Sequence, residues 1–352
     1  MLEEVLRAYG LNERSVITSV GNGLINHTWK IKNGSDEFIL QRINTDIFKH
    51  PQSIAENISL VNNYLAQHYP DYFFCAPVKT LTGNEILHIE EGYFRMFPFV
   101  KNSYSIQVVS NTKQAYEAAE KFGELTKLLS GFSAADLHIT LPDFHNLSLR
   151  YKQFASSIQN GNKTRIYTAA ASIKFLIEEK HIVDEFEQIQ SSENFKLRVT
   201  HHDTKISNVL FDEIDNGICV IDLDTLMPGY FISDVGDMLR TYLSPVSEEE
   251  KDFSKIQVRE EYFEAIVKGY LSEMQQTLTV SEIQHFIYAG KFMIYMQALR
   301  FLTDYLNNDV YYGSSYEEQN LIRAQNQICL LEELNKKEDL LNKILYNNLN
   351  FG

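Results

Sequence analysis

The chain has 352 residues, 44% hydrophobic and 12% aromatic, which is long enough to bury two cores and too apolar for a disordered polymer. Its 32 Lys and Arg against 47 Asp and Glu leave a net charge of −15, a field that repels phosphate backbones and argues against nucleic acid as a partner. Three cysteines, Cys75, Cys219 and Cys329, lie far apart without CxxC spacing, which argues for buried reduced thiols over a zinc site or disulfide scaffold.

Residues 1–20 are acidic near the start and broken at Gly10, unlike a signal peptide, and no stretch reaches the roughly 18 uncharged apolar residues of a membrane span. The expectation is a cytoplasmic protein without a membrane partner. Segments 29–32 and 37–43 flank the turn Asn33 to Asp36, and 74–81 and 85–90 flank Thr82-Gly83-Asn84, so both pairs predict hairpins. Between them Ile54, Ile58, Val61 and Leu65 predict an amphipathic helix over 51–68, entered through Pro51. A further strand at 93–96 runs into Phe97-Pro98-Phe99-Val100, where proline ends sheet pairing and a hinge is expected. After residue 112 helical spacing dominates, over 113–130, 147–158, 165–190, 256–276, 280–307 and 315–345, interrupted by short strands and turns at 198–240. The class is therefore α+β: a small antiparallel-sheet lobe over 1–100 with its hinge at about 96–102, and a large helical lobe over 103–352 that shares an interface with it.

The interruption carries the chemistry. Residues 199–212 read VTHHDTKISNVLFD, placing His201, Asp203 and Asn208 in the order H-x-D-x-x-x-x-N, and the apolar run Ile218 to Asp222 ends in a carboxylate. Asp215-Asn216-Gly217 supplies a tight turn, so the hairpin returns Asp222 to Asn208. An amide oxygen and a carboxylate are hard ligands suited to Mg²⁺. Asp203 is placed to accept the proton of a substrate hydroxyl, and Lys205 to reach a γ-phosphate. The spacing matches the protein-kinase catalytic loop, with Asp222 where those enzymes begin their metal-binding D-F-G. If Asp203 and Asn208 merely capped turns, the return hairpin and Asp222 would be left unexplained. His201 is expected to brace the loop from a buried position, and Asp234 and Asp237, in the run SDVGD, to cap a helix. Asp224 is either a ligand of a second metal or a solvated carboxylate.

On these residues the chain resembles the aminoglycoside-phosphotransferase and choline-kinase superfamily, whose fold is protein-kinase-like and bilobal, and within it the N-acetylhexosamine 1-kinases. The resemblance covers nearly the whole chain, through GNGLINH at 21–27, FILQRIN at 38–44, FRMFP at 94–98, VIDLDTLMPG at 220–229, RFLTDY at 300–305 and DVYY at 309–312. It implies that Asp203 is the base, that Asn208 and Asp222 hold Mg²⁺, and that His27, Arg300 and Tyr311 contact the sugar. From the residues alone, Arg300 could equally pair with Asp304 at i+4. Gly21 and Gly23 would let backbone N–H groups approach the phosphates of ATP, or simply form a surface turn. Met96, Phe97 and Phe99 of the hinge would meet adenine.

One departure stands out: the third strand, where kinases carry a phosphate-gripping lysine, reads Ile39-Leu-Gln-Arg-Ile43. Gln41 falls at the lysine position and lacks its charge. Arg42 substitutes only if a bulge turns it to that face, with Glu56 as its ion-pair partner. The reading with the widest support is an ATP- and Mg²⁺-dependent kinase of the anomeric hydroxyl of N-acetylglucosamine or N-acetylgalactosamine. The alternatives are the same chemistry on choline, homoserine, another sugar or an aminoglycoside, and a pseudokinase, for which Gln41 is the only support. A protein kinase would need D-F-G and A-P-E boundaries that the chain lacks.

Overall fold

The computed structural model describes residues 1–20 and 26–349. Its first unit is a five-stranded antiparallel sheet of β1 (Val16–Ser19), β2 (His27–Asn33), β3 (Asp36–Arg42), β4 (Leu87–Ile89) and β5 (Gly92–Pro98), in the order β1-β2-β3-β5-β4. One face packs on α1 (Leu2–Ala8) through Val5, Leu6, Ile31, Leu40, Phe94 and Met96, a small core separate from the main one. α2 (Pro51–His68) starts with proline at its first turn and buries Ile54, Ile58, Val61 and Leu65, the stripe read from the sequence.

One expected hairpin is not formed. Residues 74–81 make only an isolated bridge, Val78 to Met96, and β4 pairs instead with β5 through a turn before Gly92, which takes φ 127°. Pro77 sits inside the expected strand and has no N–H to give to a ladder. Thr82 and Gly83 still turn the chain, through Thr80 N–H to Asn84 O at 2.8 Å.

The larger unit begins with the short β6 (Tyr104–Ser105) and α3 (Thr112–Leu128), capped by Asn111. The expected helix over 165–190 is three: after α4 (Leu147–Asn160) come α5 (Lys163–Thr168), α6 (Ala170–Glu178) and α7 (His181–Ser191). The chain leaves helical geometry at Ala169 and Glu179, where ψ relaxes to about 10°. Next come β7 (Arg198–Thr200), β8 (Val209–Phe211), β9 (Gly217–Val220), β10 (Met227–Gly229) and α8 (Phe231–Tyr242). Then follow α9 (Glu260–Met274), α10 (Val280–Gln284), α11 (Phe286–Leu306) and α12 (Gln319–Asn347). The buried α11 packs against α4, α7, α8 and α12 and forms the axis of the main core. β6, β8 and β9 form one small sheet, β7 and β10 another, and these two ribbons present the chemistry to the cleft beneath the five-stranded sheet. Among the described residues no helix is long and apolar enough to cross a membrane.

Candidate active site

The loop from β7 to β8 is held by a set of hydrogen bonds between side chains and backbone. Asp234, in the first turn of α8, accepts the backbone N–H groups of His201 at 3.0 Å and His202 at 2.7 Å. Thr204 donates its hydroxyl to Asp234 O at 2.7 Å, and Tyr242 donates to Thr204 O at 2.5 Å. Thr225 donates to His201 O at 2.6 Å. The sequence suggested Asp234 as a helix cap; the structure corrects this, because its carboxylate faces back into the loop and α8 has no side-chain cap. His201 is buried against Phe122, its Nε2 3.0 Å from Ile221 O, and so braces the loop as expected. His202 takes φ 66°, a left-handed conformation uncommon outside glycine and found where surrounding contacts enforce it. Burial pushes its imidazole down to about 4.

At the end of this scaffold Lys205 Nζ donates to Asp203 Oδ2 at 2.7 Å, and Asn208 Nδ2 to Asp203 O at 2.9 Å. Burial opposes ionisation of Asp203, but the charge and hydrogen bond of Lys205, with help from His201 and Asn208, outweigh it and hold the carboxyl below its ordinary range. The β8–β9 hairpin pairs Val209 with Val220, and Ile221 N–H donates to Asn208 O at 2.9 Å, which sets Asp222 beside Asn208. Asp222 takes φ 63°, the second strained non-glycine residue of the site. Burial, with the neighbouring Asp224 and Asp203 charges, pushes it up to about 7. A carboxylate and an amide oxygen side by side, crowded by like charge, suit a hard divalent cation that keeps its remaining positions for water and phosphate.

Asn208 and Asp222 line the polar end of a cavity of about 400 Å³ between the two units, together with Gln41. Its other walls are largely apolar, with Ile39, Phe97, Phe99, Val100, Leu210 and Ile221, and carry the hydroxyls of Thr28, Ser103, Tyr104 and Ser105. Of the residues expected at the nucleotide, Gln41, Phe97 and Phe99 are brought here. Met96 is not: its side chain lies in the small core on the other face, and its carbonyl accepts Val78 N–H at 2.6 Å. Nor is Arg42. The β3 register runs without a bulge, so Arg42 pairs opposite Phe94 on the far face and lies over Gly92. Glu56 is half exposed and bound to His138 Nε2 at 2.8 Å, leaving Arg42 without it. Gly21 and Gly23 fall outside the described residues. Asp224 is not a free ligand: Oδ1 is paired with Arg95 and Oδ2 accepts Asn26 Nδ2 at 2.9 Å.

The three residues expected at the acceptor separate. His27 is exposed opposite Arg42, stacked 6.3 Å from Trp29 on the far side of the sheet, so it does not join the others. Arg300 and Tyr311 do meet, in a cleft of about 510 Å³ on the helical unit. The Arg300 guanidinium lies 5.9 Å from the Phe144 and Tyr311 rings and 5.5 Å from Tyr312. Its expected alternative partner, Asp304, is occupied, accepting Tyr311 N at 2.7 Å, Tyr312 N at 2.9 Å and Asn320 Nδ2 at 3.2 Å. Arg150 also lines this cleft. His145, 5.3 Å from the His202 ring of the β7–β8 loop, is held neutral by burial, then by His202, Arg300, Arg240 and Arg150. Phe144, His145, Arg150 and Tyr312 were missed in the sequence because each has an ordinary local context and only the tertiary fold gathers them.

Asp222 and Asp234, both pushed up to about 7 from 3.8, hold their protons more tightly in the folded chain than in the unfolded one. Between those values the folded state binds more protons, so the chain should lose stability as pH rises from about 4 to about 7. Adding Mg²⁺ should restore the Asp222 share at the upper end of that window. Melting temperatures across the range, with and without Mg²⁺, check both; a flat profile would remove the two carboxyls as the buried acids.

The fold and the loop define a two-lobed phosphotransferase architecture. Residues 16–276 match the phosphotransferase enzyme family APH, and the chain belongs to that family. It is similar over 97% of its length to a microcompartment-associated aminopropanol kinase, which is covered to 97%, at 13% identity and a TM-score of 0.65. A spectinomycin phosphotransferase solved with ADP and spectinomycin matches at 13% identity and a TM-score of 0.57, covering 99% of this chain and 97% of that one. A choline kinase from Cryptosporidium parvum Iowa II matches at 15% identity and 0.56, covering 98% and 99%.

Proposed function

We propose that the chain is an ATP-dependent kinase that places the γ-phosphoryl group on the anomeric hydroxyl of an N-acetylhexosamine. Asp203 orients that hydroxyl and accepts its proton. Lys205 steadies the transferring group, and the apolar walls at Phe97 and Phe99 take the adenine ring. Asn208 and Asp222 would hold Mg²⁺, which supplies charge neutralisation on the phosphates when bound.

The observation that carries the acceptor class is the charge of its cleft. The similar structures named above include enzymes of aminopropanol and choline, both cationic amino alcohols, and sites for such cations need uncommitted carboxylates beside aromatic faces. Here the aromatic rings of Phe144, Tyr311 and Tyr312 surround Arg300, with Arg150 on the same cleft, while Asp304 is spent on backbone N–H groups. Two guanidinium groups repel an ammonium and offer paired donors to hydroxyl and acetamido oxygens, so an uncharged polyol with an apolar ring face fits.

The test is ADP release with ATP and Mg²⁺ over N-acetylglucosamine, N-acetylgalactosamine, glucose, galactose, choline, homoserine and kanamycin, with NMR of the product. Turnover confined to the N-acetylhexosamines, with phosphate on the anomeric oxygen, is the expected result. Turnover on choline or kanamycin alone would overturn the acceptor while keeping the chemistry.

A further inference from the structure

We propose that Arg95 is the cation behind the phosphate grip of this chain, acting through Gln41, and that its buried ion pair with Asp224 does the work that other kinases give to a third-strand lysine and a helix glutamate. The inference rests on the kinase reading above. Among the described residues, no Lys or Arg side chain lines the 400 Å³ cavity, and the third strand offers Gln41 instead. A site for a polyphosphate must draw its charge from elsewhere, the more so in a chain of net charge −15.

Arg95 is directly opposite Gln41 in the β3–β5 register, on the same face as Phe97. Its Nε and Nη2 donate to Gln41 Oε1 at 3.0 and 2.8 Å. That saturates the amide oxygen and leaves the Gln41 amide nitrogen as the donor end at the cavity wall. The remaining guanidinium nitrogen, Nη1, pairs with Asp224, two residues beyond Asp222. Only 2% of Arg95 is exposed. A buried pair adds little stability over apolar side chains of the same volume, so its placement between the sheet and the loop carrying Asp222 points to a functional demand. The lysine's two contributions are thus divided: Arg95 brings the charge and Gln41 the hydrogen-bond donor in front of it, while Asp224 anchors the guanidinium.

With Lys205 already assigned to the transferring γ-phosphoryl group, the competing cation is Lys30, one row nearer the hinge, opposite Ile39. It is committed to Glu37 at 3.1 Å and to the face of Phe99 at 3.6 Å.

The experiment measures ADP·Mg²⁺ affinity by calorimetry and steady-state kinetics on the full chain and on Arg95→Met, Arg95→Lys, Lys30→Met and the double variant Gln41→Lys/Arg95→Met. Arg95→Met should raise the Kd for ADP and the KM for ATP at least about 30-fold while the acceptor KM stays put, a split that general loss of folded enzyme would not produce. Arg95→Lys keeps the charge without the fork that grips Gln41 and should lose about tenfold. The double variant restores a lysine on the third strand and should recover most of the ATP affinity. Should Arg95→Met fail to fold, Arg95→Lys decides. Affinity within about twofold of the unmodified chain in a folded Arg95→Lys, or a loss carried by Lys30→Met instead, would overturn the assignment. An unmodified chain that does not bind ADP would overturn the kinase reading along with it.

Discussion

Asp203→Asn should lower kcat by about 10²–10⁴-fold while leaving the melting temperature and ADP affinity within error of the unmodified chain. The variant is nearly isosteric, and the loop does not depend on the lost charge for its shape. The backbone N–H groups of His201 and His202, just before it, are held by Asp234, and Asn208 bonds the Asp203 carbonyl. What the amide cannot do is accept a proton. With its carboxyl held below the ordinary range, chiefly by Lys205 against the cost of burial, Asp203 is ionised throughout the neutral range and is a weak base. That suits a loose phosphoryl transition state, in which the hydroxyl gives up its proton late and orientation of the nucleophile counts for more than base strength. Rapid-quench turnover alongside a melting curve separates the two effects. A variant that keeps kcat within about threefold would remove Asp203 from the reaction.

The parts of the site legible in the sequence are those compressed into one stretch of chain. His201, Asp203 and Asn208 lie within eight residues, and the turn at Asp215 to Gly217 returns Asp222 by strand periodicity alone, so local rules placed all four. The helices of the larger unit were legible for a related reason: their apolar spacing repeats over many residues. Where sequence reasoning failed, the deciding contact was remote. Arg95 stands one strand away from Gln41, and only the pairing of β3 with β5 reveals that the missing charge is next door. His27 and Arg42 went to the far face because a period-two strand gives no choice once the register is fixed, and no bulge intervenes. Asp234 resembles a helix cap in any linear reading; its partners, His201 and His202, come from a loop more than thirty residues earlier. Of the cysteines, expected as buried reduced thiols, Cys75 and Cys219 are free and buried while Cys329 is only partly so.

Gly229→Ala should cost a few kcal/mol of stability and most of the activity, through a contact that no polar residue advertises. Gly229 ends β10, opposite Arg198 of β7. A Cβ there would stand 2.7 Å from His202 Cε1 and overlap both Thr200 Oγ1 and His202 Nε2. None of these has room to yield: Thr200 and His202 are buried, the Thr200 hydroxyl bonds Met227 O at 3.3 Å, and the His202 Nδ1 lies 3.1 Å from Thr225 O. The methyl group must therefore push the imidazole, and with it the strained backbone immediately before Asp203. At about 2–4 °C per kcal/mol for a chain of a few hundred residues, melting should fall by about 5–10 °C, and kcat should fall further than the folded fraction explains. Gly34→Ala provides the contrast. That glycine also resists substitution, having φ 63° in the β2–β3 turn, but a Cβ there meets nothing within 4 Å. Its penalty is backbone strain of about 1–2 kcal/mol confined to the turn, with kcat unchanged. Loss of stability in both variants, with activity lost only from Gly229→Ala, would show that the close approach of β10 positions the β7–β8 loop; activity retained in a destabilised Gly229→Ala would show that the loop keeps its register without that contact.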